Sequence, residues 1–220
     1  MTPANETRLA LLLAATAGAV NAGGLLAVGH YTSHMSGMVS EISDNLATNN
    51  LAPVAFLATG VLSFVLGAAT CGWLTSWAKQ RQNHLRYALP MALEGALILA
   101  FGLLEGGPVT GGISASMALL CFIMGLQNAI ITRASGERIR TTHLTGIITD
   151  LGIELGHLLR KQADPHKLAL LTGLVGMFFT GGLMGAYGFQ TIGPAFTLPI
   201  GLLLLAMALP TLLGNAKPNQ

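Results

Sequence analysis

Six long apolar stretches alternate with short polar ones along the chain. Leu9–Val28, Val54–Trp77, Ala88–Leu104, Ile113–Thr132, Leu168–Tyr187 and Phe196–Leu213 each approach the ~20 residues an α-helix needs to cross a ~30 Å hydrocarbon core. Between them, segments 30–48 and 139–157 mix apolar with polar and ionisable residues. Gly37–Thr48 would make only about 18 Å of helix. It also carries Glu41, Asp44 and Asn45, which lipid penalises. The pattern predicts an all-α polytopic membrane protein in which these two segments do not cross.

The polar segments state one motif twice. Thr32-Ser33-His34-Met35-Ser36-Gly37 is matched by Thr141-Thr142-His143-Leu144-Thr145-Gly146. A hydroxyl (Ser40, Thr149) and then a carboxylate (Glu41, Asp150) follow each copy at the same spacing, and Asn21-Ala22 and Asn128-Ala129 precede them. Asn128 lies 107 residues after Asn21, His143 109 after His34, Gly173 113 after Gly60, Gly185 113 after Gly72 and Pro199 109 after Pro90. Anchors in one order with so little drift predict two repeats, 1–108 and 109–220, meeting in the Gly/Pro-rich turn Glu105–Gly112. The first holds spans 9–28, 54–77 and 88–104, the second spans 113–132, 168–187 and 196–213.

Charge decides the topology. If both polar segments enter and leave by one face, Arg8, Lys79–Arg86, Arg133–Arg140, Arg160–Lys167 and Lys217 all fall on one side. The opposite loops, near Gly29, Asn49–Pro53, Glu105–Gly112 and Gly188–Ala195, hold no Lys or Arg. The positive-inside rule is then met throughout, with both termini cytoplasmic. Three crossings per repeat make the second repeat inverted relative to the first, so each contributes three transmembrane helices and one re-entrant half-helix. Such architecture places substrate sites near the midplane at the repeat interface. The run Leu9–Val28 has a counterpart in mid-chain, Ile113–Thr132, and is expected to be a retained helix rather than a cleaved leader.

The expected site is where the two half-helix N-termini meet, with Ser36 and Thr145 as their N-caps. His34, Ser36, Gly37, His143, Thr145 and Gly146 would bind solute there, assisted by Asn21 and Asn128. Glu41, Asp150 and the isolated Glu94 are the candidates for proton or ion coupling. Plainer readings stand beside these. The histidines would be interfacial loop caps, the asparagines inter-helix hydrogen bonds, and Glu94 a protonated structural group. Gly67, Gly72, Gly181, Gly182 and Gly185 read as close helix packing.

Composition narrows the class. Of 220 residues 52% are hydrophobic and 9% charged, against roughly 25% charged in soluble domains. The net charge of +2 comes from basic loops without interleaved aromatics, so no nucleic acid is expected as partner. Cys71 and Cys121 lie inside apolar runs and read as small core residues. No metal site, cofactor or catalytic residue is expected. The functional expectation is a transporter for a small polar or anionic solute. A passive channel, and a structural or enzymatic membrane protein, are the alternatives. The partners expected are the bilayer and the solute; homodimer formation and proton coupling stay open.

The motifs resemble a family. Asn21-Ala22, His34-Met35-Ser36-Gly37, Gly125-Leu126-Gln127-Asn128-Ala129 and Thr141–Gly146 with Thr149-Asp150 are similar to the YoaK-like proteins. The resemblance covers nearly the whole chain and implies a bacterial inner-membrane protein of unassigned function. Where that family has a carboxylate before the alanine and an Asn after the Ser/Thr-Gly, this chain has Asn21 and Met38. At the level of architecture alone, paired half-helices also resemble those of aquaporins and of the uracil and sulfate permeases.

Overall fold

The computed structural model describes residues 3–105, 112–134 and 143–214. Thr141, Thr142, most of the turn Glu105–Gly112, most of the loop Arg133–Arg140 and Lys217 lie outside the described residues. The described residues form eight α-helices and no strand: α1 Pro3–Val28, α2 Met35–Ala47, α3 Val54–Arg81, α4 Ala88–Glu105, α5 Ile113–Ala134, α6 Leu144–Leu159, α7 Pro165–Ile192 and α8 Thr197–Leu212.

Local chemistry sets the ends. Gly29 takes φ +76° and its N–H bonds the Leu25 carbonyl at 3.0 Å, a left-handed stop that closes α1. The Asp164 side chain accepts from the backbone N–H groups of His166 and Lys167, with Pro165 at the first helical position of α7, the usual pairing of acceptor and pre-set φ. Gly193, at φ +62°, turns the chain out of α7 into a short 3-10 turn, Gly193–Phe196, before α8.

Among the described residues five stretches are long and apolar enough to cross a membrane: Glu6–Val28, Val54–Arg81, Asn83–Leu104, Ile113–Ala134 and Pro165–Leu212. The sequence counts six spans. The last stretch, Pro165–Leu212, holds two helices, α7 and α8, joined by the turn at Gly193–Phe196, and these correspond to the fifth and sixth spans. Apolar side chains cover the outward faces: Trp73 on α3 is 66% exposed and Tyr187 on α7 71%. So much contiguous apolar surface is a poor face for water and a good one for lipid.

Three pairings build the bundle, α1 with α7, α3 with α5 and α4 with α8, and α1 also packs on α5. The short helices sit outside this core, α2 against α3 and α6 against α7. Glycine makes the close crossings. A β-carbon on Gly18 would overlap the Phe178 carbonyl oxygen, and one on Gly181 that of Ala15. Between α5 and α3 the same pattern recurs: Gly125 meets the Phe64 carbonyl and Gly67 that of Phe122. Small residues let backbones approach closely where lipid provides no hydrophobic drive. Gly72 is a correction, since nothing stands within 4 Å of its missing side chain. The packing counterpart of Gly67 is Gly181, 114 residues on, rather than a partner at the spacing of 113 that the sequence suggests.

Candidate functional site

The two copies of the repeated motif are built alike. His34 and His143 are the residues immediately before α2 and α6, with φ/ψ of −93°/65° and −83°/52°. Their carbonyls accept the first helical bonds, from the N–H of Met38 and of Ile147, both at 3.1 Å. The expected N-caps Ser36 and Thr145 are therefore corrected: both lie inside the first turn, and the histidines hold the cap position without a side-chain cap bond.

Both rings fold back on the glycine three residues ahead. A β-carbon on Gly37 would overlap Cδ2 and Nε2 of His34, and one on Gly146 the same atoms of His143. Glycine at that spacing is thus required by the imidazole seat. Gly37 and Gly146 act by seating the rings and do not line the cavity described next.

That cavity, of about 400 Å³, joins the two short helices. Ser33, His34, Met35 and Ser36 wall it from the α2 side, and His143, Leu144 and Thr145 from the α6 side. Phe64 of α3 and Asn128 of α5 complete it. The first-turn N–H groups of both helices have no partner within their own helix and carry partial positive charge. Asn128 Oδ1 is buried and accepts no hydrogen bond among the described residues. The lining thus offers donors, hydroxyls and two imidazoles around a space sized for a small solute.

Asn21 does a different job. Its Oδ1 accepts from the Ser33 N–H at 3.0 Å and from the Ser33 hydroxyl at 2.9 Å, which pins the backbone that leads into His34. It lies outside the cavity lining. The equivalent partner for Asn128 would be Thr142, outside the described residues.

The carboxylates stand apart from the cavity. Glu41 lies 3.6 Å from His30 Nε2, and the His30 ring packs edge-on against Phe56. Asp150 is exposed on α6. Glu94, in α4, is fully buried, and neither oxygen has a hydrogen-bond partner among the described residues.

Sequence reasoning missed Ser33 and Phe64 as lining residues and overlooked Glu154. Glu154 is buried on α6 and binds Lys167 Nζ at 2.9 Å and the Asp164 N–H at 3.2 Å, with His157 Nδ1 at 3.9 Å. The hydrogen bond from Lys167, then that from Asp164, holds its carboxyl below the ordinary glutamate range. The signal was there: Glu154 follows Asp150 by four residues, one turn along the same helix. A buried link also escaped notice, in which Gln127 Nε2 donates to Thr16 Oγ1 at 2.6 Å between α5 and α1.

Among the described residues no three His, Cys, Asp or Glu side chains gather as metal ligands. Comparison with curated proteins and with solved structures gives no match. The family model described as protein of unknown function (DUF1275) matches residues 9–209, a span that includes part of every helix from α1 to α8, and the chain belongs to that family.

Proposed function

We propose that this protein is a bacterial inner-membrane transporter for a small polar or anionic solute, with its site where the N-termini of α2 and α6 meet. One observation carries the reading: a single cavity is lined by His34 and Ser36 from one motif copy and by His143 and Thr145 from the other. Residues 109 apart in sequence serve one space. Helix N-termini and hydroxyls favour an anion or the electronegative edge of a polar solute.

The topology proposed with it is an inverted repeat, with α2 and α6 re-entrant and both termini cytoplasmic. In its support, exchanging α1 with α5 and α3 with α7 turns the α1–α7 crossing into the α5–α3 crossing. The glycine contacts correspond at offsets of 107 and 114 (Gly18 with Gly125, Gly67 with Gly181). Proton coupling would fall to Glu94, a buried carboxylate without partners, as intramembrane carboxylates so often do. No catalytic role is assigned to any residue.

A second reading has its own observation. Glu41 and Asp150 lie away from the cavity, and a site without a coupling carboxylate suits a passive channel. Liposomes containing the protein, loaded with a panel of radiolabelled small carboxylates and amides under an imposed proton gradient, distinguish the two. A coupled transporter accumulates one of the panel against its gradient. A channel only lets it equilibrate.

A further inference from the structure

His34 borders two cavities. Beside the central one lies a second, of about 340 Å³, lined by the end of α1 and the first turns of α2, with His30, Tyr31 and Glu41 as its polar groups. His34 is the one residue common to both linings. Its backbone is fixed, since the preceding Ser33 is tied twice to Asn21. Its ring is not: it is exposed, makes no hydrogen bond among the described residues, and rests by contact alone on Gly37, itself part of the second lining.

We propose that the His34 imidazole is a side-chain gate between the solute site and this second cavity, which serves as the vestibule to it. The inference rests on the transport reading for the meaning of the central cavity. A rigid loop carrying one unbonded ring allows opening by rotation about the side-chain torsions alone, a motion between staggered wells that is fast and cheap. The glycine supplies the closed seat. With any side chain at position 37 the ring would be displaced. The vestibule's polar lining, His30 paired with Glu41 at 3.6 Å and Tyr31 beside them, suits a hydrated polar solute.

The test reads access rather than transport. Cys71 and Cys121 are fully buried, so a Thr145→Cys thiol across the cavity reports alone. In vesicles of known orientation it is exposed to a charged, membrane-impermeant methanethiosulfonate applied from each side in turn. His34→Ala should speed labelling from the vestibule side by about tenfold or more, and Gly37→Ala should do the same by unseating the ring. His34→Phe, which refills the seat, should keep the slow rate. Equal rates for His34→Ala and the parent overturn the gate, as does a slow rate in Gly37→Ala with the ring still present. If His34→Ala cannot be purified folded, the opposed results of Gly37→Ala and His34→Phe decide alone. Should the gate hold while liposome flux is absent, the transport reading fails and the access path stands.

Discussion

Gly95 and Gly201 face each other where α4 crosses α8. A β-carbon on Gly95 would sit 2.9 Å from the Gly201 carbonyl oxygen, and one on Gly201 2.7 Å from that of Gly95. The contact is reciprocal, each glycine leaving room for the other's backbone. Gly95→Ala and Gly201→Ala should each destabilise the fold by about 1–3 kcal/mol through overpacking. Gly72→Ala, with open space around it, should be neutral or gain up to about 1 kcal/mol of helix propensity. Unfolding in mixed detergent micelles measures all three. A loss for Gly72→Ala as large as for the other two would contradict the packing assignment.

The proposed topology puts the basic loops on one side of the membrane. Cysteines at Ala52 and Gln190, both exposed, should react with an impermeant reagent from the periplasmic face. Those at Asn83 and Gln162, also exposed, should react only from the cytoplasmic face. Periplasmic labelling at Gln162 would remove the inverted second repeat.

The Glu154–Lys167 pair ties α6 to α7 at 2.9 Å. A carboxyl held below its ordinary range stabilises the fold above that range, and the contribution is lost as pH falls through the lowered value. Glu154→Gln should therefore melt at a lower temperature than wild type at neutral pH. The two melting curves should converge in acid. A melting difference that persists unchanged at low pH would show that the charge of Glu154 is irrelevant.

Much of this was legible from residue order, and the reasons differ by residue. The duplicated His-x-x-Gly spacing, His34 to Gly37 and His143 to Gly146, is visible in the chain. That spacing marked the site because glycine is needed wherever a ring occupies the β-carbon's place. The convergence of His34, Ser36, His143, Thr145 and Asn128 was readable from the repeat alone. The position of the caps was not, because a histidine with no side-chain cap bond leaves no composition cue at the helix start. Nor was the pairing of Glu41 with His30, since the two lie on either side of a chain reversal. The open surroundings of Gly72 show that a glycine in an apolar helix does not by itself reveal a crossing.

Glu94 is fully buried with both oxygens unpartnered among the described residues. Glu94→Gln should cost less than the roughly 1–3 kcal/mol that follows loss of a satisfied buried hydrogen bond. In liposomes it should abolish proton-driven accumulation while downhill flux continues. Accumulation at the wild-type level would remove Glu94 from coupling.

The central claim, one solute site shared by the two motif copies, is tested most directly by solute flux through His34→Ala, His143→Ala and the double variant in liposomes. With the solute selected from the labelled carboxylate and amide panel, each single variant should change flux by about tenfold or more, and the double should add little, as for groups that act as a unit. Wild-type flux in both single variants would contradict a shared site and leave the repeated motif as a device of the fold.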